Sequence, residues 1–115
     1  MATPYEILIV DDEADIRTSL QGVLEDEGYV VRTAASGQEG LDKIAAKTPD
    51  LALLDIWMEG MDGLETLSRI KRRWPELPVV MISGHGTIET AVQATQKGAY
   101  DFIENKELAP EAITK

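Results

Sequence analysis

The stretch Ile7-Leu8-Ile9-Val10-Asp11-Asp12 decides how this chain is read. An unbroken apolar run suits a parallel strand covered on both faces, because a strand with one wet face alternates apolar and polar positions. A pair of acids stops the run abruptly. The same arrangement returns at Leu51-Ala52-Leu53-Leu54, which runs directly into Asp55. In an open α/β sheet, ligands bind in the crevice beyond the carboxyl ends of the strands. Carboxylates gathered at that rim repel one another, and a hard divalent cation between them offsets the repulsion. The pattern therefore predicts a metal site tied to an anion-handling chemistry.

Outward from these two runs, strand-like and helix-like segments alternate five times. Ile16, Leu20, Val23 and Leu24 mark one face of a first helix, which Gly28 stops by adopting a left-handed conformation cheaply. Val30 to Ala34 reads as a second strand. Ser36 and Glu39 form a capping box for a helix bearing Leu41, Ile44 and Ala45, and Thr48-Pro49-Asp50 turns the chain into the strand that ends at Asp55. Gly63 opens a third helix with Leu64, Leu67 and Ile70, which ends at Trp74-Pro75 because proline disfavours helix in the residue before it. Val79 to Ile82 is the fourth strand, followed by the flexible connection Ser83-Gly84-His85-Gly86. Thr87 caps a helix carrying Ile88, Ala91 and Val92 that stops at Lys97-Gly98, and Asp101-Phe102-Ile103 is a short fifth strand. Pro110 starts a final helix that Lys115 leaves short, so the tail is expected to be cut short or not native. This order implies an α/β fold, a doubly wound parallel sheet with helices on both faces.

With 115 residues the chain is expected to be one domain, residues 1–115. Its 21 acidic residues against 11 basic ones give a net charge of −10, which argues against direct binding of nucleic acid. Arg69, Lys71, Arg72 and Arg73 form the one basic cluster, read as a solvated helix end. The absence of cysteine excludes disulfides, thiolate metal sites and cysteine nucleophiles. No apolar stretch is long enough to span a bilayer and no signal-peptide pattern opens the chain, so the cytoplasm is the expected compartment. A blander use exists for the acids, since Asp11 or Asp12 would suit the N-terminus of the first helix. That use accounts for one acid and not for all three at adjacent strand ends.

Taken together, Asp11-Asp12, Asp55, Asp62-Gly63, Ser83 and Gly98-Ala99-Tyr100-Asp101-Phe102 resemble the receiver domain of two-component response regulators over nearly the whole chain. The stretch from Ser83 to Val92 looks most like the nitrogen-regulation, sigma-54-activator branch. The resemblance implies a flavodoxin-like sheet in the order 2-1-3-4-5. It implies that Asp55 accepts a phosphoryl group from a phosphohistidine on a sensor histidine kinase. It also implies Mg2+ held by Asp12, Asp55 and the backbone carbonyl of Trp57, with Asp11 acting through water. Ser83 would hydrogen-bond the phosphoryl group, and Phe102 would be the switch aromatic, although a core aromatic in a short strand is an equal reading of it. Trp57 and His85 fall at positions that, by the same resemblance, would tune phosphoryl lifetime, while His85 and Glu13 also read as ordinary solvated residues. Trp74 is expected to pack on the core. The full protein would then carry an ATPase domain and a DNA-binding domain as outputs, and a homodimer is possible. By the same resemblance the domain would be a switch rather than an enzyme, assisting only its own phosphorylation and dephosphorylation.

One motif departs from the family. The lysine that pairs with the phosphoacceptor should occupy position 105, where this chain has Asn105, then Lys106, then Glu107 in place of proline. A one-residue shift in a strand turns a side chain to the opposite face. Lys106 is thus a displaced but working lysine, or the site is naturally degraded, or the C-terminal end is altered. That departure supports an alternative, a phosphorylation-independent pseudo-receiver that only binds proteins. An aspartate-nucleophile phosphatase would require Asp-x-Asp where the chain has Asp11-Asp12-Glu13, and a flavin carrier would require a phosphate loop after the first strand.

Overall fold

The computed structural model describes residues 5–58, 60–83 and 93–103, with residues 102 and 103 described by backbone alone. Strands β1 (Glu6–Val10), β2 (Val30–Ala34), β3 (Leu51–Asp55), β4 (Val79–Ile82) and β5 (Asp101–Ile103) alternate with helices α1 (Ala14–Asp26), α2 (Gly37–Ala46) and α3 (Gly63–Arg73). Residues 93–96 are also helical. All strand pairs are parallel, in the order β2-β1-β3-β4-β5. The expected sheet is therefore the observed one. The helix expected after Pro110 lies outside the described residues, as do Thr87, Ile88, Ala91 and Val92.

Successive residues of a strand face opposite sides of the sheet, and the core divides accordingly. Ile7, Ile9, Leu51, Leu53, Val80 and Ile82 pack on Leu20 and Leu24 of α1. Leu8, Val10, Ala52, Leu54, Val79 and Met81 face the other way, against Leu41 and Ile44 of α2, Leu67 and Ile70 of α3, and Ala94. Trp74 packs at the margin of this second cluster, with the Arg73 guanidinium 4.4 Å from its ring centroid. Every residue of β1 and β3 is buried, which explains runs without polar alternation.

The helix ends follow local chemistry. Gly28 ends α1 at φ 96°, donating to Glu25 O at 2.9 Å. The Ser36 side chain accepts from Glu39 N–H at 3.1 Å; Glu39 reaches back to Ala35 N–H at 3.0 Å, one residue before the cap itself. That contact and Lys43 outweigh slight desolvation and hold the Glu39 carboxyl below its ordinary range. Asp62 caps α3 by accepting from Glu65 N–H at 2.9 Å. The basic residues at the other end of α3 are used locally. Arg69 pairs with Glu65 at 3.0 Å, and Lys71 donates to Leu77 O at 2.7 Å.

An ion-pair network at the N-terminal edge of the sheet was not legible in the sequence. Glu6, 7% exposed within β1, pairs with Arg32 of β2 at 2.7 Å and with Lys47 at 3.1 Å. Arg32 also donates to Lys43 O and Lys47 O, satisfying carbonyls at the end of α2. Glu6 N–H donates to Asp50 Oδ2 at 2.7 Å, fixing the turn into β3.

Candidate metal centre

The site is built by strand register. Val10 of β1 lies opposite Leu54 of β3, so Asp11 follows its strand level with Asp55. Asp55 in turn pairs with Ile82, and Ile56 N–H donates to Ile82 O at 3.2 Å. Ser83, fully buried, leaves β4 immediately beside this row.

Asp11 is anchored through its backbone. Its N–H donates to Ala34 O at 3.1 Å, and its carbonyl accepts from Arg17 Nη1 at 2.7 Å. Its Oδ1 accepts from Glu13 N–H at 2.9 Å. Glu13, exposed, is the N-cap residue of α1, so neither Asp11 nor Asp12 occupies that position. Asp11 and Asp55 are fully buried and Asp12 is exposed. Each of the three offers a carboxylate oxygen within 4.8 Å of the others.

The donor set can be tested against a metal. It contains oxygen only, which selects hard cations over zinc or copper. At 4.8 Å and an effective dielectric of about 20, the two buried carboxylates, Asp11 and Asp55, repel by roughly 3 kcal/mol when both are ionised, and the exposed Asp12 adds less because water screens it. A dication among the three replaces that repulsion with attraction, and one exposed ligand leaves an entry path from solvent. These residues fit a hard divalent cation.

Trp57, 57% exposed, lies two residues beyond Asp55 on the short loop before α3, and Met58 beside it is buried. Phe102 stands opposite Met81 in the register of β5 with β4; its side chain, His85, Asn105 and Lys106 lie outside the described residues. Two residues that shape the site escaped sequence reasoning. Nothing in the sequence singles out Arg17, whose Nη1 donates to Asp11 O at 2.7 Å. Gly63 was read as a helix start and as part of the Asp62-Gly63 motif, but not for its contact with the loop after β3, where its N–H donates to Ile56 O at 2.8 Å, between Asp55 and Trp57. A glycine where a helix N-terminus ordinarily tolerates any side chain was the available signal for the second.

Comparison with known proteins agrees with this geometry. Residues 7–115 match the response regulator receiver domain. The chain is 61% identical over 102 residues to nitrogen assimilation regulatory protein NtrX of Azorhizobium caulinodans, covering 87% of this chain and 22% of that protein. The receiver domain of NtrX from Brucella abortus superimposes with a TM-score of 0.86 at 51% identity, over 94% of this chain and 91% of that one. The beryllofluoride-activated NtrC4 receiver domain, solved as a dimer, gives a TM-score of 0.86 at 39% identity, over 95% and 89%. The chain spans about a fifth of the length of the curated relatives it matches.

Proposed function

The chain belongs to the response regulator receiver domain family, and from that premise we propose that Asp55 is its phosphoacceptor. The observation that carries this reading is the convergence of Asp11, Asp12 and Asp55 at one rim of the sheet. Asp12, Asp55 and the Trp57 carbonyl would hold Mg2+, with Asp11 acting through water. Bound there, the ion supplies charge neutralisation for the equatorial phosphoryl oxygens.

The protein's own groups do the rest. An Asp55 carboxylate oxygen attacks phosphorus in line. The bond from phosphorus to the donor histidine nitrogen breaks, its electron pair stays on the imidazole, and an acyl phosphate forms on Asp55. Burial of Asp55 holds the nucleophile in one orientation at the strand end. Ser83 donates its hydroxyl hydrogen to a phosphoryl oxygen, adding no charge. Lys106, one position later in the sequence than the lysine the family carries, would supply the cation, and Phe102 would carry the change to the β4–β5 edge.

The phosphoryl donor in this reading is a sensor histidine kinase. The output is transcriptional, through ATPase and DNA-binding domains of a longer protein in which residues 1–115 form one domain. The switch works in the cytoplasm as a monomer or a homodimer, the latter a state in which the NtrC4 relative was solved.

Incubation with Mg2+ and a small acyl-phosphate donor, followed by intact-mass measurement, tests the proposal. A single phosphoryl adduct that disappears in Asp55→Ala supports it. No adduct on the unaltered chain would leave the fold serving protein binding alone.

A further inference from the structure

We propose that Gly63 is a positioning residue for the metal site, holding the Asp55 carboxylate and the Trp57 carbonyl at a fixed spacing. The inference rests on the metal-binding reading above and goes beyond it. A Cβ built at Gly63 would land on the carbonyl oxygen of Asp55, 2.6 Å from Ile56 Cα and 2.8 Å from the Asp55 carbonyl carbon. All three contacts are to backbone, so no rotamer change relieves them. The Gly63 N–H is a second close approach to the same segment, donating to Ile56 O at 2.8 Å. The first turn of α3 therefore sits directly on the peptide units linking the two proposed ligands.

Neither partner can easily retreat. Leu67 and Ile70 of α3 are fully buried in the core, and Asp62 ties the first turn of the helix through Glu65 N–H. On the other side, Leu54 is fixed in register with both Val10 and Met81. An added methyl must displace residues 55–57, the segment that leaves the strand, and so move Asp55 relative to Asp11 and Asp12. Groups that orient metal ligands without touching the ion typically contribute 10–100-fold in affinity.

Gly37 supplies the control. A Cβ there would strike the Thr66 hydroxyl and come within 3.3 Å of Met61 O, also a tight approach to α3, but away from Asp55. Mg2+ affinity and unfolding free energy are measured for the unaltered chain, Gly63→Ala and Gly37→Ala. Both variants should lose stability, while Gly63→Ala alone should lose about tenfold or more in affinity. A folded Gly63→Ala within about twofold of the unaltered affinity overturns the proposal, as does an equal loss in Gly37→Ala.

A milder series covers failure of Gly63→Ala to fold. Asp62→Ala uncaps α3 and should weaken Mg2+ binding, whereas Asp62→Ser keeps a capping oxygen without the charge and should restore it. Ser36→Ala uncaps α2 and should leave affinity unchanged. Equal affinities across this series overturn the proposal. Failure of the unaltered chain to bind Mg2+ instead removes the reading on which it stands.

Discussion

Val10 and Leu54 face each other across the pairing of β1 with β3, and this one row brings Asp11 level with Asp55. The acidic site is thus a product of register. A slip by one residue would send one carboxylate to the other face of the sheet and empty a buried apolar position.

The repulsion among the acids should be visible without any metal. Asp12→Asn removes the exposed carboxylate, and in a chelator its melting temperature should rise by about 3–6 °C, corresponding to about 1 kcal/mol. Saturating Mg2+ at about 100 times its Kd should stabilise the unaltered chain by about 2.7 kcal/mol and move the variant far less. Calorimetric melting with and without Mg2+ reads both effects. A variant that gains as much from Mg2+ as the unaltered chain would remove Asp12 from the ligand set.

Glu6 should shape the acid limb of stability. Burial works against its ionisation, but hydrogen bonds and charge from Lys47 and Arg32 outweigh that and lower its pKa from the ordinary 4.5. A lowered folded-state value means its contribution is complete above the unfolded pKa and fades as pH falls below about 4.5 through the folded value. Urea unfolding at stepped pH should show a shallower loss in Glu6→Gln than in the unaltered chain over that acid window. Parallel curves would contradict the assignment.

Trp57 is exposed two residues from the proposed phosphoacceptor. If its bulk shields an acyl phosphate from water, Trp57→Ala should shorten the lifetime of the adduct on Asp55. Following the phosphorylated mass over time gives the rate directly, and an unchanged lifetime would dismiss the shielding role.

Asn105→Lys restores a cation at the position where the family carries one. Phosphorylation by a small donor should become faster, with a smaller change in Mg2+ affinity, because that lysine acts on the phosphoryl group. Equal rates in the two chains would leave the cation with Lys106.

Ser36→Ala should cost about 1 kcal/mol, the usual value of a lost N-cap. The structure shows this cap engaged with Glu39 N–H at 3.1 Å. A thermal melt unchanged from the unaltered chain would mean that water replaces the hydroxyl fully.

Much of the fold was legible because local signals and buried runs agreed. The strand beginning at Val30 and the helix ending at Trp74 fall where periodicity, glycine and proline placed them. The reciprocal half of the capping box lay one residue off, since Glu39 found the Ala35 N–H rather than that of Ser36. Glu6 was invisible as an ion-pair centre: its partners come from an edge strand and a helix end that only the folded chain brings near.

By itself, the sequence determined which segments are strands, that they run parallel, and that acids stand at their carboxyl ends. These follow from apolar periodicity and side-chain chemistry, which act over a few residues. Tertiary structure alone decided that Glu6 is buried against Arg32 and that Gly63 sits on the peptide after Asp55. Those relationships arise from close packing between distant segments, where a single methyl group has no room, and no local pattern encodes that.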